Sequence, residues 1–170
     1  MSVVIYPSVV VIILFALSIN VNNELSYIIS SERFYKYNSN IKAIMIGDGI
    51  LKEKCINLLN DLNLTENIDI VGFKDNPYIY LKKSKVLCLT SKWEGFGLVA
   101  VEAMTLGKPV FCKAVGGLKN IVDKKSGFFY ENKFDCADKL KNLLEDKRIY
   151  DQYSEGSTAR GRELNNFERY

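Results

Sequence analysis

The chain has 170 residues, of which 48% are hydrophobic and 25% charged, with a formal net charge of +3. This length suits about one domain with a single core, and the composition excludes collagenous, low-complexity and disordered classes. The lysines are spread along the chain without a basic cluster, so the mild positive charge does not indicate nucleic-acid binding.

The chain contains no histidine. The usual general base of Ser-His-Asp and Cys-His catalysis is therefore missing, and so is the commonest transition-metal ligand. Four cysteines, at positions 55, 88, 112 and 136, form no C-x₂-C pair. We therefore expect neither a metal site nor a disulfide framework, and a reducing cytoplasm fits this pattern best.

Residues 3–19, VVIYPSVVVIILFALSI, carry no charge. A signal peptide is not indicated, because such a segment begins with basic residues and the first basic residue here is Arg33. A membrane helix needs about 20 apolar residues, whereas this run is shorter, contains Pro7 and is rich in valine and isoleucine. The pattern favours a buried strand of a sheet that is covered on both faces, with a membrane anchor as the alternative.

From residue 41 onward, short apolar runs alternate with amphipathic stretches. The apolar runs predict strands at 41–46, 68–73, 85–90, 109–113 and 126–130. The amphipathic stretches predict helices at 50–62, 78–83 and 134–146, a short helix within 116–122, and a helical tail from about Arg148. A helix should also begin near Gly97 and end at Gly107, with Pro109 beyond it, and residues 22–37 fit another helix.

This alternation implies βαβ units and an α/β, Rossmann-like, mostly parallel sheet with helices on both faces. We expect one domain over residues 1–170, in which 1–40 form a divergent first strand and helix and 148–170 a C-terminal helical tail. Ligands of such sheets bind at the carboxyl ends of the strands. Glycine-rich segments fall at those ends, namely residues 47–49, 72–73, 91–97 and 116–117.

Residues 94–104, EGFGLVAVEAM, place Glu94 and Glu102 eight positions apart at the start of a predicted helix. The first N–H groups of that helix, at residues 96–98, would be unpaired and could bind a phosphate. Glu102, one turn further on, can then reach a sugar attached to that phosphate, and Glu94 can face a sugar on its other side. The alternative is that Glu94 is an ordinary acid at a helix start and Glu102 a solvated helix residue.

The order of these motifs, from IGDG and IVGF through TSKWEGFGLVAVEAMTLGKPV to AVGGLKNIV and SGFFY, resembles a known family. From residue 41 to about 160, the chain is similar to the C-terminal, donor-binding half of family 4 glycosyltransferases of GT-B fold. The resemblance implies that a sugar is transferred from a nucleotide-diphosphate donor with retention of configuration. It implies no metal and no other cofactor.

The resemblance also assigns roles to individual residues. Glu94 would contact the donor sugar as the catalytic residue, and Glu102 would hold the ribose hydroxyls. The other donor-binding residues would be Gly47, Gly49, Phe73, Gly95, Phe96, Gly97 and Leu98. The amides of 96–98 would face the diphosphate, the glycines at 47 and 49 would line the cleft, and Phe73 would lie near the base.

Two departures from the family pattern leave alternatives open. The arginine and lysine that neutralise the diphosphate in the family align with Ala16 and Val21 here, and each such charge is worth about 3–4 kcal/mol. Lys92 and Lys113 are candidates to replace them. We also expect that the acceptor-binding domain is not part of this chain.

The chain is then either a transferase that depends on a separate acceptor-binding domain, or a non-catalytic nucleotide-sugar-binding module. The expected partner is a nucleotide-sugar donor and not a nucleic acid. The expected location is the cytoplasm, at the inner face of the membrane if the protein associates with it peripherally. The family acts on cell-envelope polysaccharides, glycolipids and small glycosides, so the acceptor stays open.

Overall fold

The computed structural model describes residues 10–14, 42–49, 52–89, 95–131 and 133–167. The strands are β1 (Val10–Leu14), β2 (Lys42–Ile46), β3 (Ile68–Gly72), β4 (Val86–Leu89), β5 (Val110–Cys112) and β6 (Gly127–Phe129). The helices are α1 (Lys52–Asp61), α2 (Tyr78–Lys83), α3 (Leu98–Thr105), α4 (Leu118–Ile121), α5 (Lys133–Glu145) and α6 (Lys147–Phe167). Each strand and helix predicted from residue 41 onward is confirmed, with small shifts at the ends. The helix expected at 22–37 lies outside the described residues.

The six strands form one parallel sheet in the order β3-β2-β1-β4-β5-β6. The strand β1 pairs with β2 on one side and with β4 on the other. The strand interpretation of the apolar N-terminal run is thus confirmed for Val10–Leu14, and the rest of residues 3–19 lies outside the described part. Within the described ranges, no helix is long and apolar enough to cross a membrane.

Two apolar layers cover the two faces of the sheet, because successive side chains of a strand point to opposite faces. In β2, Ala43 and Met45 belong to one layer, whereas Ile44 and Ile46 belong to the other. The first layer contains side chains of α1 and α5, and the second contains side chains of α2, α3 and α4. Helices on both faces of a parallel sheet confirm the expected fold class.

The long helix α6 crosses the amino edge of the sheet. Its first turns pack with the α1 and α5 layer, and Leu164 near its end packs with the opposite layer. Three of its side chains donate to main-chain oxygens that lie shortly before β4, β5 and β6. The pairs are Tyr150 Oη with Lys85 O (3.2 Å), Ser154 Oγ with Gly107 O (2.8 Å) and Ser157 Oγ with Ser126 O (2.8 Å). This edge is therefore bound to α6, and the predicted functional residues that the structure describes lie toward the other edge.

The cysteines behave as small apolar residues. Cys55, Cys88 and Cys112 are buried and form no disulfide, as expected from their spacing. Burial raises the pKa of Cys112 to about 12, because a thiolate in this apolar layer would lose its solvation. Cys112 is therefore an unreactive core thiol.

Candidate functional site

The candidate site lies at the carboxyl edge of the sheet, where three central strands end level with one another. Leu14, the last residue of β1, is in register with Ile46 of β2 and with Leu89 of β4. Neighbouring strands are about 5 Å apart, so the segments that leave β2 and β4 are separated by about 10 Å. The strand β2, which follows β1 in the chain, lies on one side of β1, whereas β4, which follows β3, lies on the other side. Doubly wound sheets bind ligands at such a switch point.

The segment after β2 is joined to the end of β3. Gly47 N–H donates to Gly72 O at 3.0 Å, and both glycines have positive φ, at 138° and 69°. Gly49 is exposed, and a Cβ added to it would meet no protein atom within 4 Å. Packing therefore does not require glycine at this position, and the space beside it is open. Phe73, which follows β3, has 68% of its surface exposed.

Asp48 is held between the two glycines of this segment. Its carboxylate accepts a hydrogen bond from Gly49 N–H at 2.8 Å and another from Lys52 Nζ at 3.2 Å. The Gly49 hydrogen bond and then the Lys52 ammonium lower the pKa of Asp48. The carboxylate is therefore ionised at neutral pH and balances the charge of Lys52.

Glycines also join the start of α3 to the start of α4. Gly97 directly precedes α3 with φ of 66°, and a Cβ there would lie 2.7 Å from Leu118 Cδ2. Gly117 N–H donates to Gly95 O at 3.2 Å, and a Cβ on Gly117 would lie 2.5 Å from the same oxygen. A side chain at Gly117 would therefore push the two loops apart, whereas one at Gly97 would displace the end of the Leu118 side chain and strain the backbone at its positive φ. The close approach of backbone to backbone holds the start of α3 at the carboxyl edge.

The N–H groups at and just before the start of α3 lack partners among the described residues. Ala100 N–H is the first that bonds back, to Gly97 O at 2.8 Å. Within the described part of the chain, the N–H groups of Phe96, Gly97 and Leu98 have no acceptor. Phe96 is 77% exposed and Leu98 is 55% exposed. Unpaired donors at the positive end of a helix dipole favour an anion, so a phosphate site here stays a prediction.

Glu102 is neither a freely solvated residue nor a buried one. It lies one turn after Leu98 on α3 and is partly buried. Its Oε1 accepts a hydrogen bond of 2.7 Å from Tyr78 Oη, at the start of α2. This hydrogen bond raises the pKa of Tyr78 above its usual value, because the anionic carboxylate favours the protonated phenol.

Several residues named from the sequence lie outside the described ranges. They are Ala16, Val21, Lys92 and the proposed catalytic Glu94. Lys113 is described, and its Nζ lies 5.8 Å from the ring centre of Tyr130 beyond the end of β5. Among the described residues, no three His, Cys, Asp or Glu side chains are grouped so that they could hold a metal ion.

Tyr78 was not predicted as a site residue from the sequence. Its only signal was its position, directly after Pro77 and in the connection that leaves the carboxyl end of β3. Its contact with Glu102 spans 24 positions, and no local pattern reveals such a contact.

The fold and site together define a doubly wound α/β domain, in which unpaired N–H groups at a helix start lie at the sheet edge where such folds bind ligands. Residues 11–160 match the family model described as glycosyl transferases group 1. The chain belongs to this family.

Curated relatives resemble a large part of this chain. Poly(ribitol-phosphate) alpha-N-acetylglucosaminyltransferase of Staphylococcus aureus is 32% identical over 134 residues, which are 76% of this chain and 27% of the relative. N-acetylgalactosamine-N,N'-diacetylbacillosaminyl-diphospho-undecaprenol 4-alpha-N-acetylgalactosaminyltransferase of Campylobacter jejuni is 28% identical over 133 residues, which are 76% of this chain and 36% of the relative. The chain therefore spans about a third of the length of these proteins.

Solved structures of similar fold include S. aureus TarM, as a variant in complex with fondaparinux, alpha-GlcNAc-glycerol and UDP. That structure has a TM-score of 0.80 and 26% identity, covering 89% of this chain and 31% of TarM. Anabaena HepE in complex with UDP has a TM-score of 0.80 and 22% identity, covering 91% of this chain and 44% of HepE. The C-terminal domain of LpcC from Francisella tularensis has a TM-score of 0.79 and 21% identity, covering 91% of this chain and 85% of that domain. The GT-B-type fold inferred from the motifs is confirmed.

Proposed function

We propose that this chain is the donor-binding half of a family 4 glycosyltransferase, which takes a sugar from a nucleotide-diphosphate donor with retention of configuration. The match over residues 11–160 to group 1 glycosyl transferases supports a transferase over a non-catalytic module. TarM and HepE were each crystallised with UDP, which supports a uridine or related nucleotide as the ligand.

One observation carries this proposal: α3 begins at the carboxyl edge with free amides, and Glu102 follows one turn later. Residues four apart on a helix lie on the same face, so Leu98 and Glu102 share a face of α3. The helix rises about 6 Å over those four residues. A diphosphate at the amides of 96–98 therefore leaves the attached ribose within reach of the Glu102 carboxylate.

The other donor contacts extend from this anchor. Gly47 and Gly49 border the cleft on the β2 side, where the open space at Gly49 admits a ligand. Exposed Phe73 is proposed to lie near the base, Gly95 beside the diphosphate, and Glu94 against the transferred sugar as the catalytic residue. The protein then acts mainly by stabilising the departing diphosphate electrostatically, and that phosphate can accept the proton of the acceptor hydroxyl.

Neither a metal nor another cofactor enters this proposal. The acceptor is proposed to bind to a further domain. Cell-envelope polysaccharides and their lipid-linked precursors are the favoured acceptor class, because one curated relative is named for poly(ribitol-phosphate) and the other for a sugar on diphospho-undecaprenol. Action in the cytoplasm, at the inner face of the membrane, fits such acceptors.

The proposal is tested by calorimetric titration of the folded chain with UDP and with GDP. Glu102→Gln keeps the shape of the side chain and removes its charge, so we expect affinity to fall about 10- to 100-fold, the value of a hydrogen bond to a charged group. Glu155→Gln is the matched control, because Glu155 is exposed on α6 at the opposite edge of the sheet. EDTA should leave the affinity of the wild type unchanged.

Two results would overturn the proposal. One is that the folded wild type binds neither nucleotide, and the other is that Glu102→Gln binds as tightly as the wild type.

A further inference from the structure

The hydrogen bond between Tyr78 and Glu102 joins two elements that the chain keeps well apart. Tyr78 is the first residue of α2, and Glu102 lies in the middle of α3, 24 positions later. The two side chains meet at 2.7 Å although Tyr78 is 47% exposed. Among the described residues, neither side chain has another hydrogen-bond partner.

This contact restricts a side chain that would otherwise move. A free glutamate samples many rotamers, and fixing one of them costs conformational entropy. Tyrosine has only two side-chain torsions, and Tyr78 follows Pro77, whose φ is −70°. The phenol is therefore a comparatively rigid donor that fixes one oxygen of the carboxylate before any ligand binds.

The restricted carboxylate keeps most of its capacity to accept hydrogen bonds. An ionised carboxylate has about four acceptor positions on two oxygens. Tyr78 uses one position on Oε1, and Oε2 has no partner within the described part of the chain. Two neighbouring hydroxyl groups can therefore bind Glu102 while the hydrogen bond from Tyr78 stays in place.

We propose that Tyr78 is a positioning residue of the donor site, which holds the Glu102 carboxylate ready for the 2′- and 3′-hydroxyls of the ribose. This role rests on the proposed function, because it needs a nucleotide at the start of α3. The position of Tyr78 fits this role: residues 73–77 connect the end of β3 to α2, with exposed Phe73 at the start of that connection and Tyr78 directly after it. The two ends of this connection therefore place Phe73 near the base and Tyr78 beside the carboxylate that binds the ribose.

The test compares two ligands that differ only at the ribose. UDP carries both hydroxyls, and 2′,3′-dideoxy-UDP carries neither, so the ratio of their affinities measures recognition of the hydroxyls. We expect Tyr78→Phe to weaken UDP binding roughly five- to tenfold and to leave dideoxy-UDP unchanged, so that the ratio falls. In the double variant with Glu102→Gln, Tyr78→Phe should have no further effect.

Tyr80→Phe is the matched control. It removes a phenol from the same short helix, at a partly buried tyrosine that packs on the core. It should leave the affinity ratio unchanged. Thermal melts of each variant show that the chain is folded in every titration.

The outcomes separate this role from the proposed function. If Glu102→Gln removes the preference for UDP but Tyr78→Phe does not, the donor site stands and the role of Tyr78 is wrong. Tighter UDP binding by Tyr78→Phe would show that the phenol competes with the ribose, which also overturns the role. If the wild type binds neither UDP nor GDP, both proposals fail.

Discussion

Asp123 organises the turn that leads into β6. Its Oδ1 accepts hydrogen bonds from Lys125 N–H at 2.9 Å and from Ser126 N–H at 2.8 Å. Asp123 is exposed overall, but neighbouring atoms partly desolvate its carboxyl group, which alone would raise its pKa. The hydrogen bonds outweigh this effect, with a smaller contribution from Arg160, so the pKa lies below its usual value. The folded protein therefore favours the ionised form.

A carboxyl group whose pKa is lowered by folding stabilises the protein above its unfolded pKa of about 4, and that contribution is lost as the pH falls through the folded pKa. We expect Asp123→Asn to lower the free energy of unfolding by about 1 kcal/mol at pH 7, a modest value because Asp123 is exposed. The difference from the wild type should shrink below about pH 4. Urea unfolding at pH 7, 4 and 3 measures this difference in the free energy of unfolding.

Asp138→Asn is the control for Asp123→Asn, because Asp138 is exposed on α5, and it should show no such difference. An effect of Asp123→Asn that does not depend on pH would contradict the assignment.

At the scale of elements, glycines within α6 determine how closely this helix approaches its neighbours. A Cβ on Gly156 would lie 2.1 Å from Lys125 O, and a Cβ on Gly161 would lie 2.5 Å from Thr105 N, at the end of α3. Asn165 Nδ2 also donates to Thr105 Oγ1 at 3.0 Å. Because α3 carries the proposed phosphate and ribose contacts, α6 supports the site from the opposite end of that helix.

Replacing Gly161 by alanine sets two effects against each other. Alanine is favoured over glycine within a helix by about 1 kcal/mol, whereas forcing an atom into a packed contact costs about 1–3 kcal/mol or more. The nearest atoms belong to backbone, which cannot rotate away, so we expect a net loss of about 2 kcal/mol in the free energy of unfolding. Chemical denaturation measures this loss in the free energy of unfolding.

Arg162→Ala is the control, at the exposed neighbouring position, and should change the free energy of unfolding by less than about 0.5 kcal/mol. An increase in stability for Gly161→Ala would show that α6 does not pack on α3 as described.

At the scale of the whole molecule, the residues that stabilise the domain and the proposed binding residues lie at opposite edges of the sheet. Residues of α6 occupy the amino edge of β4, β5 and β6, whereas glycine loops and the start of α3 occupy the carboxyl edge. The chain spans 27% and 36% of the two curated relatives. Binding of the donor and binding of the acceptor are therefore proposed to lie on different domains, and a single domain over residues 1–170 stays a prediction.

We expect the isolated chain to bind UDP without detectable transfer of sugar. Transfer requires the acceptor hydroxyl to be held against the donor, and positioning of that kind can account for about 7–11 kcal/mol of a reaction barrier. Release of UDP from UDP-glucose and UDP-N-acetylglucosamine, with and without simple acceptors, measures transfer, and calorimetry on the same sample measures binding. Robust turnover with a simple acceptor would show that the acceptor site lies within these 170 residues.

Local patterns predicted the elements well, because period and residue type act over short stretches. The β-branched run at Val10–Leu14 predicted a strand, and Gly97 and Gly107 predicted the ends of α3 to within two residues. The candidate site was only partly predictable. The glycines at 47, 49 and 97 follow strands and were therefore named as donor-binding residues, a role that stays a prediction, whereas Tyr78 has an ordinary helical context and was missed.

The sequence alone determined the order of strands and helices, the parallel α/β class and the helix start with free amides, since each depends on neighbouring residues and on connection rules. Only the tertiary structure decided that Tyr78 holds Glu102, that Gly117 lies against Gly95, and that α6 crosses the amino edge of the sheet. These contacts join residues distant in the chain, and they form because the sheet and its two apolar layers bring those residues together. Local propensity cannot specify such contacts, because many pairings share the same local pattern and only packing of the whole chain selects one.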